Sequence, residues 1–63
     1  MTSADEKIAR AIIANGCPLT ELELEIETGL RYAAVRNGIK ELLRAGRLRV
    51  IKDRGTYLYE VTR

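Results

Sequence analysis

The chain has 63 residues, which suffices for one domain over residues 1–63 and leaves no room for a second. Its 46% apolar and 32% charged residues are typical of a globular protein, but without Phe or Trp the core must be aliphatic. The sequence contains no His and one Cys, which excludes an intrachain disulfide and argues against a metal site. No apolar run is long enough for a membrane span or a signal peptide, so we expect a cytoplasmic protein without cofactors.

The small net charge of +2 conceals a strong asymmetry along the chain. Residues 1–30 contain two basic and six acidic side chains, a net −4, whereas residues 31–63 contain nine basic and three acidic ones, a net +6. A basic half suggests a surface that attracts a polyanion, although an ordinary solvated surface with unevenly placed charge is the alternative. The order of the predicted elements distinguishes a polyanion-binding surface from an ordinary one.

The first element is a helix. Ser3 and Glu6 match the S-x-x-E capping box, Ile8 and Ile12 follow four residues apart, and Asn15-Gly16 ends the helix. The next segment, 17–19, is predicted to be extended because Pro18 disfavours helical backbone at the residue before it. We expect the side chain of that residue, Cys17, to act as a small buried hydrophobe.

The second element is compatible with two structures. Apolar residues alternate with Glu from Glu21 to Glu27, which is a strand pattern, but four leucine or isoleucine residues also share one helical face: Leu19, Leu22, Ile26 and Leu30. A second capping box, Thr20 with Glu23, and Gly29 as a terminator favour a short helix.

A third helix is predicted from about Tyr32 to Arg44, ended by Ala45-Gly46. Its buried stripe consists of Val35, Ile39, Leu42 and Leu43. Gly38 costs about 1 kcal/mol relative to Ala in a helix, so it suggests a close approach of another helix. The remaining segment alternates as two strands around Asp53-Arg54-Gly55 and predicts a β-hairpin.

Helix, helix, turn, helix and hairpin follow one another in the order of a known family. The stretch from Thr20 to Val61 resembles the winged helix-turn-helix domains of bacterial and archaeal transcription regulators, and the short chain ending in R-G-T-Y-L-Y is also similar to small regulators of fimbrial operons. The matching features are the Thr28-Gly29-Leu30 turn, the stripe of the third helix, the Ala45-Gly46-Arg47-Leu48 exit and the Gly-containing wing turn. The resemblance implies an α+β winged helix-turn-helix fold, with three helices followed by a two-stranded wing.

The resemblance also implies sequence-specific binding of double-stranded DNA by a small prokaryotic or phage transcription regulator associated with the nucleoid. In such a complex the third helix would enter the major groove, where Arg36 could pair with guanine and Asn37 with adenine. Tyr32 could contact a phosphate or a thymine methyl group. The other expected contacts, mostly to phosphates and by the wing, come from Arg31, Lys40, Arg44, Arg49, Lys52 and Arg54.

The second helix departs from the family pattern. Glu25 stands where the family usually has a small residue, and Leu22 and Ile26 stand where it is usually polar. Either this helix is rotated or it exposes an apolar strip, which could form a homodimer through Leu22, Leu24 and Ile26.

Besides DNA binding, the sequence bears on two other classes of function. An enzyme is not expected, because the sequence has no His, no nucleophile motif and no Gly-rich phosphate loop. A winged-helix module that binds a protein partner through its second helix, without binding DNA, is the alternative.

Overall fold

A computed structural model describes residues 3–62, so Met1, Thr2 and Arg63 of the predicted domain lie outside the described residues. Three helices precede an antiparallel hairpin: α1 (Ala4–Asn15), α2 (Glu21–Thr28), α3 (Tyr32–Arg44), β1 (Leu48–Asp53) and β2 (Thr56–Val61). This α+β arrangement is consistent with a winged-helix layout and confirms the predicted fold class.

Side chains cap the first two helices as their sequences indicate. The Ser3 hydroxyl accepts a hydrogen bond from the backbone N–H of Glu6 at 3.3 Å, while the Glu6 carboxylate turns towards Arg10 on the next turn, 3.9 Å away. At α2 the capping box is complete, because Thr20 and Glu23 each bond the backbone N–H of the other. This cap gives a helix of eight residues a defined start, and the strand alternative for this segment is therefore wrong.

Backbone hydrogen bonds between Leu19 and Tyr59 join the hairpin to the segment before α2. Its register places Leu48 opposite Val61 and Asp53 opposite Thr56, which leaves Arg54-Gly55 as a two-residue turn. Both turn residues have positive φ, 52° at Arg54 and 81° at Gly55, as a type I′ turn requires. Leu19, in the predicted extended segment, exchanges two backbone hydrogen bonds with Tyr59 of β2 and so fixes the hairpin against the start of α2.

A single core, aliphatic except for Tyr59, lies between the three helices and the hairpin. It consists of Ile8, Ile12, Leu19, Leu24, Val35, Ile39, Leu42, Leu48 and Tyr59. The predicted stripe of α3 is confirmed except at Leu43, which is only partly buried.

Gly38 lies where α1 crosses α3. A Cβ atom at this position would be 2.5 Å from Cδ1 of Ile8, a side chain that is fully buried. The close approach of two helices predicted at this glycine is therefore confirmed, and it explains how a poor helix former is tolerated in the middle of α3.

Two predictions are wrong, namely the burial of Cys17 and the place of Leu24 in an exposed dimer surface. Cys17 is exposed rather than a buried hydrophobe. In α2 the core residue is Leu24, which is fully buried, whereas Leu22 and Ile26 are 66% and 72% exposed. Leu24 therefore cannot contribute to a dimer surface, and of the two alternatives the structure has the exposed apolar strip.

No helix within residues 3–62 is long and apolar enough to cross a membrane.

Candidate nucleic-acid interface

The outer face of α3 carries a line of small and polar side chains. The buried residues of this helix occupy one side, and at 100° per residue the opposite side holds four exposed residues in successive turns: Ala33, Asn37, Lys40 and Arg44. Three of them were expected from the sequence. Ala33 was not among the expected residues, because a methyl side chain carries no polar signal, but its spacing of four residues from Asn37 places it on this face.

Tyr32 and Arg36 form a pair on the flank of that face. Arg36 Nη1 donates a hydrogen bond of 2.7 Å to the Tyr32 hydroxyl, and its guanidinium carbon lies 5.6 Å from the centroid of the Tyr32 ring. The hydrogen bond raises the pKa of Arg36, helped by the nearby charge of Glu21. The pair is possible because residues four apart are neighbours on a helix.

Arg36 faces a concavity that joins α3 to the hairpin. Its walls include Leu22 from α2 and Tyr57 and Tyr59 from β2. Burial raises the pKa of the Tyr59 hydroxyl, and the negative charge of Glu21 raises it further. The flank of α3 that carries Arg36 is therefore continuous with the part of the hairpin that carries Tyr57 and Tyr59.

The wing ends in the two-residue turn, with Arg54 at its tip. A positive φ is unfavourable for a side chain with a Cβ, so this arginine is held in a backbone conformation that glycine or asparagine adopts more readily. Below the tip, Lys52 and Tyr57 are cross-strand partners, and the Lys52 ammonium lies 6.0 Å from the Tyr57 ring. Tyr57, which is 54% exposed, was not among the predicted site residues. In the sequence, the signal for Tyr57 was its position in the predicted second strand, opposite the expected DNA-contacting residue Lys52.

Arg49 does not join this surface. It lies three positions before Lys52 in the strand, an odd spacing, so the alternation of the strand turns the two side chains to opposite faces of the hairpin. Arg49 bonds Glu60, its cross-strand partner, with Nε 2.8 Å from Oε1. It also lines a concavity with Ile13 and Cys17 at the end of α1. Its charge is thus matched within the hairpin, on the side away from Lys52.

The remaining basic residues of the predicted site are all exposed. Arg31 is the N-cap residue of α3 and makes no side-chain cap hydrogen bond. Arg44, in the last turn, lies 3.6 Å from Glu41, an exposed pair that is weakly held. Apart from the paired Arg49 and Glu60, α3, its N-cap and the wing carry six cations, namely Arg31, Arg36, Lys40, Arg44, Lys52 and Arg54. Two carboxylates, Glu41 and Asp53, accompany them in these segments.

Comparisons of the chain with protein-family models, with curated proteins and with solved structures gave no match.

Proposed function

We propose that this protein binds double-stranded DNA in a sequence-specific manner, as a small transcription regulator of the winged helix-turn-helix kind. The observation that carries the proposal is the exposed line on α3, in which the small and polar Ala33 and Asn37 are followed by the cations Lys40 and Arg44. A major groove admits an α-helix, and a face without bulky apolar groups can approach the edges of the base pairs.

The positions of the side chains suggest a division of roles. Ala33 and Asn37 lie on the first two turns of the outer face, where Ala could contact a thymine methyl group and Asn could bond adenine. Arg36, aligned by Tyr32, has the fork geometry that pairs with guanine O6 and N7. Phosphate contacts, which orient the protein without specifying sequence, are assigned to Arg31, Lys40, Arg44, Lys52 and Arg54.

A single domain of this size covers a short DNA site, so binding to adjacent sites would strengthen it. The dimer predicted from the sequence used Leu22, Leu24 and Ile26, of which only Leu22 and Ile26 are exposed. Apposing two α2 helices would also bring their carboxylates together. Self-association through α2 is therefore not part of the proposed function.

Selection from a pool of random duplexes tests the proposal. We expect wild-type protein to enrich one short sequence motif. Ala33→Glu should abolish enrichment, because it places a carboxylate on the outer face of α3 without disturbing the core. Glu is favourable in the first turn of a helix, so this variant should fold normally.

Ala14→Glu is the matched control, since it adds the same charge at an exposed position of α1. It should enrich the same motif as the wild type. Absence of an enriched motif with wild-type protein, or equal enrichment by Ala33→Glu, would contradict the proposal.

A further inference from the structure

Helix α2 carries an apolar stripe that none of the residues 3–62 covers. Leu22 and Ile26 are more exposed than any other large hydrophobic side chain of the described residues, at 66% and 72%. They lie about 40° apart around the helix axis and so form one continuous strip over a full turn. Single exposed leucines are ordinary, but an adjacent pair on one helix face is a surface that a partner can bury.

Carboxylates border this stripe on both sides. Glu25 lies about 60° from Leu22, and Glu23 about 60° from Ile26, in opposite directions around the helix. The ion pairs among residues 3–62 are Arg10–Glu6, Arg44–Glu41 and Arg49–Glu60, so neither bordering carboxylate has a cation of its own. All charged residues of α2 are glutamates, and they fall into two like-charged pairs four residues apart, an arrangement that destabilises an isolated helix.

We infer that α2 is a docking surface for a cationic amphipathic helix of a partner protein. Such a helix would place apolar side chains on Leu22 and Ile26, and Lys or Arg residues beside Glu23 and Glu25. Charge complementarity favours this partner over a nucleic acid and over a second copy of the chain. A nucleic acid is repelled by the glutamates, and a second copy that used the same face would oppose eight carboxylates, four from each α2.

The test uses the intact chain and a short synthetic peptide of helical amphipathic pattern, with Leu on one face and Lys elsewhere. We expect the peptide to bind the wild-type protein with a salt-sensitive affinity, measured by fluorescence anisotropy. Leu22→Ser combined with Ile26→Ser should weaken binding about tenfold or more, because two apolar contacts are lost. Both positions are exposed, so the fold should persist, which circular dichroism checks.

Two further variants separate the apolar and the charged contributions. Ile13→Ser, at a 55% exposed position of α1, removes comparable apolar surface elsewhere and should leave peptide affinity unchanged. Glu23→Gln combined with Glu25→Gln leaves the apolar stripe unchanged, and Gln at position 23 can still complete the capping box. Because two negative charges are removed, this variant should bind the peptide more weakly and with a smaller salt dependence.

Three results would overturn the inference. One is equal affinity of the peptide for the wild type and for the Leu22→Ser, Ile26→Ser variant. The second is equal affinity of the wild type for a peptide with Glu in place of Lys, since charge would then select nothing. The third is sedimentation showing that the wild type self-associates and the stripe variant does not, which would make a second copy the occupant.

Discussion

Arg36 is held by Tyr32 from one turn earlier in α3, with a 2.7 Å hydrogen bond to the phenol oxygen and its guanidinium 5.6 Å from the ring centroid. The bond occupies Nη1 and leaves the other guanidinium nitrogens available. A preorganised arginine loses less side-chain entropy on binding than one that is mobile in solution.

This pair predicts different effects for two substitutions. Arg36→Ala should weaken specific DNA binding about ten- to hundredfold and relax base preference at one position, because a bidentate contact to guanine is lost. Tyr32→Phe keeps the ring but removes the hydrogen bond, so it should have a smaller effect at the same base position. Anisotropy titrations on a selected duplex and on its single-base variants measure both. Arg10→Ala, on α1, is the control and should change neither quantity.

The positive φ of Arg54 predicts that one substitution at this position raises stability and weakens DNA binding. Asn is the preferred residue at this position of a type I′ turn, so Arg54→Asn should stabilise the fold by about 0.5–1 kcal/mol. The same variant should weaken DNA binding, because it removes the cation at the wing tip. Urea unfolding and DNA titration of one preparation measure the two effects. Unchanged DNA affinity in a stabilised variant would show that the wing tip does not contact DNA.

The contact between Gly38 and Ile8 predicts strong coupling of two substitutions. Ala at 38 gains about 1 kcal/mol of helix propensity, but overpacking against Ile8 costs about 1–3 kcal/mol, so Gly38→Ala should be destabilising. Ile8→Val removes the clashing Cδ1 atom and costs about 0.5–1.5 kcal/mol alone. In that background Gly38→Ala should become neutral or stabilising. Additive changes in the free energy of unfolding would contradict the close approach.

The environment of Tyr59 predicts a loss of stability in alkaline solution. Burial raises the pKa of Tyr59 in the folded state, whereas the pKa of a tyrosine in the unfolded chain is about 10. The folded protein therefore keeps this proton at a pH at which the unfolded chain has lost it. The contribution of Tyr59 to stability is fully present below about pH 10 and is lost as the pH rises through the pKa of the folded state. Tyr59→Phe should flatten this decline in urea-unfolding profiles, while Tyr57→Phe, at an exposed position, should not.

Much of this fold is predictable because local signals and long-range packing agree. The two Ser/Thr caps, the glycines after α1 and α2, and the stripe of α3 each specify an element boundary or a buried face without reference to the rest of the chain. Even the approach of α1 is visible at Gly38, since glycine in a helix interior is costly unless space requires it.

Sequence patterns are weaker where several faces are possible. In α2 the apolar residues alternate, so Leu22 with Ile26 and Leu24 alone are both acceptable core faces. Packing against α1 and α3 decides for Leu24, and no local signal indicates that choice. Arg49 was assigned to the DNA surface by its charge, but its partner Glu60 becomes apparent only once the hairpin register is known.

The central claim, that α3 and the wing bind duplex DNA, is tested most directly by titrating a selected duplex at several salt concentrations. With roughly five cations on phosphates, the logarithm of the binding constant should fall with the logarithm of salt concentration at a slope of about −4.5. Lys40→Ala should reduce this slope by about 1, whereas Arg49→Ala should leave it unchanged. No detectable binding at low salt, or a slope near zero, would contradict the account.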